Sequence, residues 1–127
     1  MHVLIYAETH AVRDLLRQAA GLLGSVTTTI HSRVIDALRQ LDDMPPPDLV
    51  LVAEDTGAGE GESERMFHDH VLMAARRRGV AAVMLGRWQQ TGACYGAPVV
   101  PDLGAAAREV TLQRLRATAR DALLGAA

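Results

Sequence analysis

Lysine is missing altogether: all 13 basic residues among the 127 are arginine. Arginine in place of lysine throughout is what GC-rich coding produces, yet it closes the chain to any function that needs a lysine ammonium in its usual form. Cysteine is nearly absent too. Cys94 stands alone, so no internal disulfide can form, and a reducing, cytoplasmic setting is expected. No long unbroken apolar run is present, which argues against a membrane span. The residues after Met1, HVLIY, read as a strand with no basic stretch and no small-residue cleavage site, so no secretory signal is expected. Nor is there a basic excess. A net charge of −2 speaks against direct nucleic-acid binding.

What is there suits one domain spanning 1–127. A chain of this length hides roughly 70% of the surface it exposes when unfolded, enough for a core without metals or disulfides. Strand-like runs alternate with helix-like stripes. HVLIY is followed by Thr9 at a cap position and by Val12, Leu15, Leu16, Ala19, Leu22 and Leu23 at helical spacing. Gly24 and Ser25 stop that helix, and SVTTTI is a β-branched, edge-like strand. Ser32 is placed to cap a second helix with Val34 or Ile35, Leu38 and Leu41 on its buried face. Pro45, Pro46 and Pro47 end it, and DLVLVA has the continuous apolar character of a central parallel strand. After the loop TGAGEG, Ser63 opens a third helix with Met66, His70, Met73 and Ala74 on one side. Arg76, Arg77 and Arg78 close it, where cations oppose the negative end of the helix dipole.

VAAVML makes a fourth strand. Gly92, Gly96, Pro98 and Pro101 then argue against a regular helix between 86 and 104. Thr111, as cap, precedes a last stripe of Leu112, Leu115, Ala119, Ala122 and Leu123. This alternation predicts an α/β fold: a doubly wound, five-stranded parallel sheet in the flavodoxin-like order 2-1-3-4-5, its fourth helix short or irregular.

On these segments the chain resembles the receiver domain of bacterial response regulators. PDLVLVA, with Gly61 eight residues after Ala53, resembles the receiver stretch from the third strand into its glycine-bearing loop. THAVRDLLRQAAGLLG resembles the first helix and VTLQRLRATARDALLG the last. The resemblance implies a site of two acids after the first strand, an aspartate ending the third, a hydroxyl after the fourth and a lysine after the fifth. Those groups hold a divalent cation and neutralise the phosphoryl group during transfer. Here the acid pair corresponds to Ala7 and Glu8, the acceptor to Ala53 and the hydroxyl to Gly86. The lysine position depends on the strand register. Counting back from the last helix favours Arg108, with Ala105, Ala106 and Ala107 as strand; taking PVV as the strand gives Pro101 or Asp102. The resemblance thus implies a degenerate receiver that is not an enzyme and takes no cofactor. Glu8 and Asp55 are weak candidates for a metal, Asp55 having the parity of Ala53 but lying further up the loop.

Other chemistry is thinly represented. His68 and His70 lie about 200° apart around a helix and cannot chelate one ion from a common face. His70, on the apolar stripe, is expected as a hydrogen-bonded histidine of the core or its boundary. His2, His10 and His31 are scattered at element ends, and Cys94 has no base near it in sequence. TGAGEGE lacks the GK[ST] ending of a phosphate loop and carries Glu60, Glu62 and Glu64. Trp88, Tyr95, Val99 and Val100 fall where the resemblance places a partner-binding face, and aromatics are enriched in binding hot spots. The expected function is therefore a phosphorylation-independent protein-interaction module of signal transduction or transcription control. Its partner is another protein, a fused output domain, or a second copy docking on the fourth-helix/fifth-strand/fifth-helix face. The alternatives are a small-ligand sensor in the emptied pocket, or an active receiver using Asp55.

Overall fold

The computed structural model describes residues 1–54, 67–86 and 93–126. In chain order its elements are β1 (His2–Tyr6), α1 (His10–Gly21), β2 (Thr27–His31), α2 (Val34–Leu41), β3 (Leu49–Ala53), α3 (Phe67–Arg77), β4 (Ala81–Gly86), β5 (Ala93–Cys94) and β6 (Ala97–Pro101), then a 3-10 turn (Ala105–Ala107) and α4 (Arg108–Ala126). The sheet order is β2-β1-β3-β4-β6-β5. All pairings are parallel except that of β5 with β6. Counting parallel strands alone, with β6 the fifth, the order is the expected 2-1-3-4-5 of a flavodoxin-like fold.

Two cores sit on opposite faces of this sheet. Along each strand, alternate residues point to opposite sides. Val3, Ile5, Leu49, Leu51, Val83 and Leu85 pack with Leu16 of α1 and Leu112 and Leu115 of α4. Leu4, Tyr6, Val50, Val52 and Met84 pack with Ala37 and Leu41 of α2 and Val71 and Leu72 of α3. The continuous apolar run of β3 is explained by these layers, since both of its faces are covered. β2 is an edge strand, with only part of each residue covered.

Three local expectations need correction. The strand expected at Ala105–Ala107 is a 3-10 turn, and the fifth parallel strand is Ala97–Pro101, hydrogen-bonded to β4. Alanine has poor strand propensity, whereas the Val99–Val100 pair supplies β-branched side chains for a pleated surface. Second, α4 starts at Arg108, so Thr111 lies inside its first turn, fully buried. Third, α3 is rotated from its expected orientation. His68, Val71, Leu72 and Ala75 are buried at i, i+3, i+4 and i+7; of the expected side Ala74 is buried as anticipated, Met73 is half-buried and His70 is exposed. On α2 the alternative resolves to Val34, half-buried, over Ile35, exposed.

β5 and β6 form a two-residue hairpin through Tyr95 and Gly96. Both loop residues have positive φ, 49° and 81°, the type I′ geometry whose twist matches the flanking strands. Met66 and Ser63 of the expected third helix lie outside the described residues.

Candidate functional site

Because β1, β3, β4 and β6 run parallel, their C-terminal ends gather at one edge, where open α/β sheets bind ligands. Backbone bonds tie these ends together. The Ala7 amide donates to His31 O at 3.3 Å, that of Glu54 to Leu85 O at 2.9 Å, and that of Asp102 to Gly86 O at 2.9 Å. Ala7, Ala53 and Gly86 therefore do converge at one edge.

Ala7 and Ala53 turn into the α1/α4 core, 0% and 3% exposed, among Ile5, Leu51 and Leu85. Their methyl groups are structural filling. Glu8 is half-buried, and its Oε1 accepts from the Tyr6 hydroxyl at 3.3 Å. Arg13 of α1 folds back over the end of β1, donating to the Glu8 and Ala7 carbonyls at 3.3 and 3.5 Å.

With β6 as the fifth parallel strand, the residue following it is Asp102, and Arg108 is displaced from the strand ends. The carboxylate of Asp102 accepts from the Gly104 amide at 2.9 Å, a local turn bond that introduces the 3-10 segment. Arg108 lies in the first turn of α4 with its Nη2 3.6 Å from Asp14 of α1. Asp14 also pairs with Arg17 at 2.5 Å, so Arg108 belongs to an exposed charge cluster linking α1 and α4. The strand ends thus bring together carboxylates, small residues and the Arg13 guanidinium. Among the described residues no group of three or more His, Cys, Asp or Glu is placed to hold a metal ion.

Of the expected contact face, Tyr95 is 40% exposed at the hairpin corner and Val99 is half-buried. Val100 must be removed from it: at 3% exposure it belongs to the α1/α4 core. Alternation along β6 turns Val99 and Val100 to opposite faces. Trp88 and Asp55 lie outside the described residues, as do the glycine loop at 56–62 and the side chain of Cys94. Beside Tyr95 an open cavity of about 360 Å³ runs between α3, the hairpin and the end of α4, its rim including Arg76, Pro98 and Ala122. Arg76 lies along the turn, its side-chain carbons and guanidinium about 3.9 Å from the point where a Cβ on Gly96 would sit.

A second polar group was dispersed in the sequence. His2, Thr29, His31 and Gln40 meet where α2 crosses β1 and β2. The signal that unites them is register, Leu4 opposite Thr29 and Tyr6 opposite His31, which places His2, Thr29 and His31 on one face beneath α2.

The fold and these sites define a flavodoxin-like α/β protein. No helix among the described residues is long and apolar enough to cross a membrane. No protein-family model matches the chain, and comparison with curated proteins finds no match.

Proposed function

We propose that this protein is a receiver-like regulatory module that works by docking a protein partner, without phosphorylation, in cytoplasmic bacterial signal transduction or transcription control. The observation that carries the reading is Tyr95. It is an aromatic side chain held 40% exposed at a hairpin corner whose backbone, φ 49°, favours glycine or asparagine. Retaining a tyrosine there costs stability that a turn residue would not, and outliers of this kind concentrate at binding sites. Arg76 and the adjoining cavity add a cation and a concave rim to the aromatic, a combination enriched in interface hot spots. The partner is another protein, a fused output domain or a second copy of this chain.

The small strand-end residues support the phosphorylation-independent part. Ala7 and Ala53 offer no oxygen to accept a phosphoryl group, and their burial leaves a ligand little to touch there. Docking is therefore favoured over a ligand sensor in that place.

Two measurements test the proposal. After incubation with acetyl phosphate and Mg²⁺, the intact mass is expected to stay unchanged; a phosphoryl adduct overturns phosphorylation independence. Tyr95→Asn suits the turn, so it should fold at least as stably as the parent, gaining up to about 1 kcal/mol. Co-purification from the native host, with self-association measured by sedimentation, should show a partner or a dimer that the variant loses. Identical behaviour of the two proteins overturns the docking surface.

A further inference from the structure

Helix α4 is apolar on two sides. Leu112, Leu115 and Ala119 fill the core against the sheet, whereas Val110, Ala117 and Leu124 are exposed. Val110 is 45% and Leu124 76% exposed. Single apolar residues on a surface are ordinary, but these three recur every seven positions, the spacing of a helix-to-helix seam. At about 100° per residue, Val110 and Leu124 lie within about 20° of Ala117 round the helix. Arg114 and Asp121 flank this seam on one side by about 40–60°, and Gln113 and Arg120 flank it on the other by as much. The short side chain of Ala117 leaves a shallow depression of about 260 Å³, bordered by Gln113, Arg116, Arg120 and Asp121. Among the described residues neither Arg114 nor Asp121 has an ion-pair partner.

We propose that the outer face of α4 pairs antiparallel with α4 of a second copy of this chain, about a two-fold axis at Ala117. Symmetry of that kind lays each flank against the same flank of the other copy and reverses its order. Val110 then packs on Leu124 of the second copy, and Ala117 on Ala117, where two small side chains let the backbones approach. Arg114 stands opposite Asp121 of the second copy and Asp121 opposite its Arg114, so one spacing makes two ion pairs. On the other flank the Gln113 Nε2 already donates to Glu109 at 3.0 Å, and its carbonyl oxygen is left to accept from Arg120 of the second copy. A parallel pair would set Arg114 beside Gln113, without a carboxylate, and would align like ends of the two helix dipoles.

This seam is separate from the docking corner. Ala122, on the rim of the cavity beside Tyr95, lies about 140° round α4 from Ala117. One helix against one helix is a small contact, so the dimer is weak and exchanges quickly.

Sedimentation of the full chain from about 10 µM to about 1 mM should show a reversible monomer–dimer equilibrium. Arg114→Asp alone, or Asp121→Arg alone, sets like charges opposite each other twice and should weaken the dimer about ten-fold. Arg114→Asp combined with Asp121→Arg exchanges the signs and should restore an antiparallel pair, but not a parallel one. Ala117→Arg puts a good helix former at an exposed position, and should abolish the dimer while the circular dichroism stays that of the parent. Tyr95→Asn should leave the dimer intact, and its loss there would assign self-association to the docking corner and overturn the α4 seam. A chain monomeric throughout, a dimer indifferent to the single exchanges, or a double variant no stronger than the singles would overturn it equally.

Discussion

The Thr111 hydroxyl holds two backbone groups at the passage from β6 into α4. It accepts from the Leu103 amide at 3.2 Å and donates to the Ala107 carbonyl at 3.4 Å. The residue is fully buried, so neither group has water as an alternative close at hand. Thr111→Val keeps the shape and removes the hydroxyl, leaving the Leu103 amide without its acceptor. That should cost about 1–3 kcal/mol, read as a lower urea midpoint with the slope unchanged. A midpoint equal to the parent's would mean that solvent reaches the amide. In sequence, Thr111 looks like a cap at the start of the apolar stripe. The 3-10 entry at Ala105–Ala107 moves the helix start forward by a turn, and the same hydroxyl then serves a bond from a residue eight positions earlier. The Arg108 assignment failed for a related reason, since it depended on a strand where the chain makes this turn.

At the scale of elements, α3 shows how a helix chooses its face. Two stripes compete in FHDHVLMAARR. One runs through His70, Met73 and Ala74, the other through His68, Val71, Leu72 and Ala75. The second places Val71 and Leu72 at the centre of the contact with β3 and α2, keeps Ala74 of the first stripe buried beside them, and leaves the more flexible Met73 at its margin, half-buried. Leu72→Ala should therefore cost about 2–5 kcal/mol in chemical unfolding, as deletions from a closed core do. His70→Ala, on the solvent side, should stay within about 0.5 kcal/mol of the parent. Similar losses from the two substitutions would restore the stripe that sequence periodicity favours. Packing also accounts for the buried histidine: His68 has Asp69 3.2 Å from its Nε2, a polar partner at the rim of the face.

For the whole molecule, the sheet separates two apolar clusters with different membership. Leu16 belongs to the α1/α4 side and Leu41 to the α2/α3 side, each almost wholly buried. Because their side chains share no neighbour cluster, Leu16→Ala and Leu41→Ala should add in stability to within about 0.5 kcal/mol. A double-mutant cycle checks this, and a larger coupling would show that strain passes through the strands. The docking corner and the polar contact under α2 divide across the molecule as well. The docking corner at Tyr95 lies at the β5–β6 edge and the His2–Gln40–His31 contact at the β2 edge, with β1, β3 and β4 between them.

The sequence by itself determined the class of fold. The alternation of apolar runs and stripes, with β3 apolar on both faces, demands helices on both sides of a parallel sheet, and its order follows from short right-handed crossovers. It also determined that Ala53 cannot accept a phosphoryl group, because composition alone removes the oxygen. Only the tertiary structure decided which segment is the fifth parallel strand, which face α3 buries and that Val100 is core. Those choices turn on competition between neighbouring local patterns, which is settled by what lies opposite in space. The His2–Gln40–His31 contact was equally invisible in one dimension. It joins residues 38 and nine positions apart, and only strand register with the docking of α2 brings their polar atoms within bonding distance.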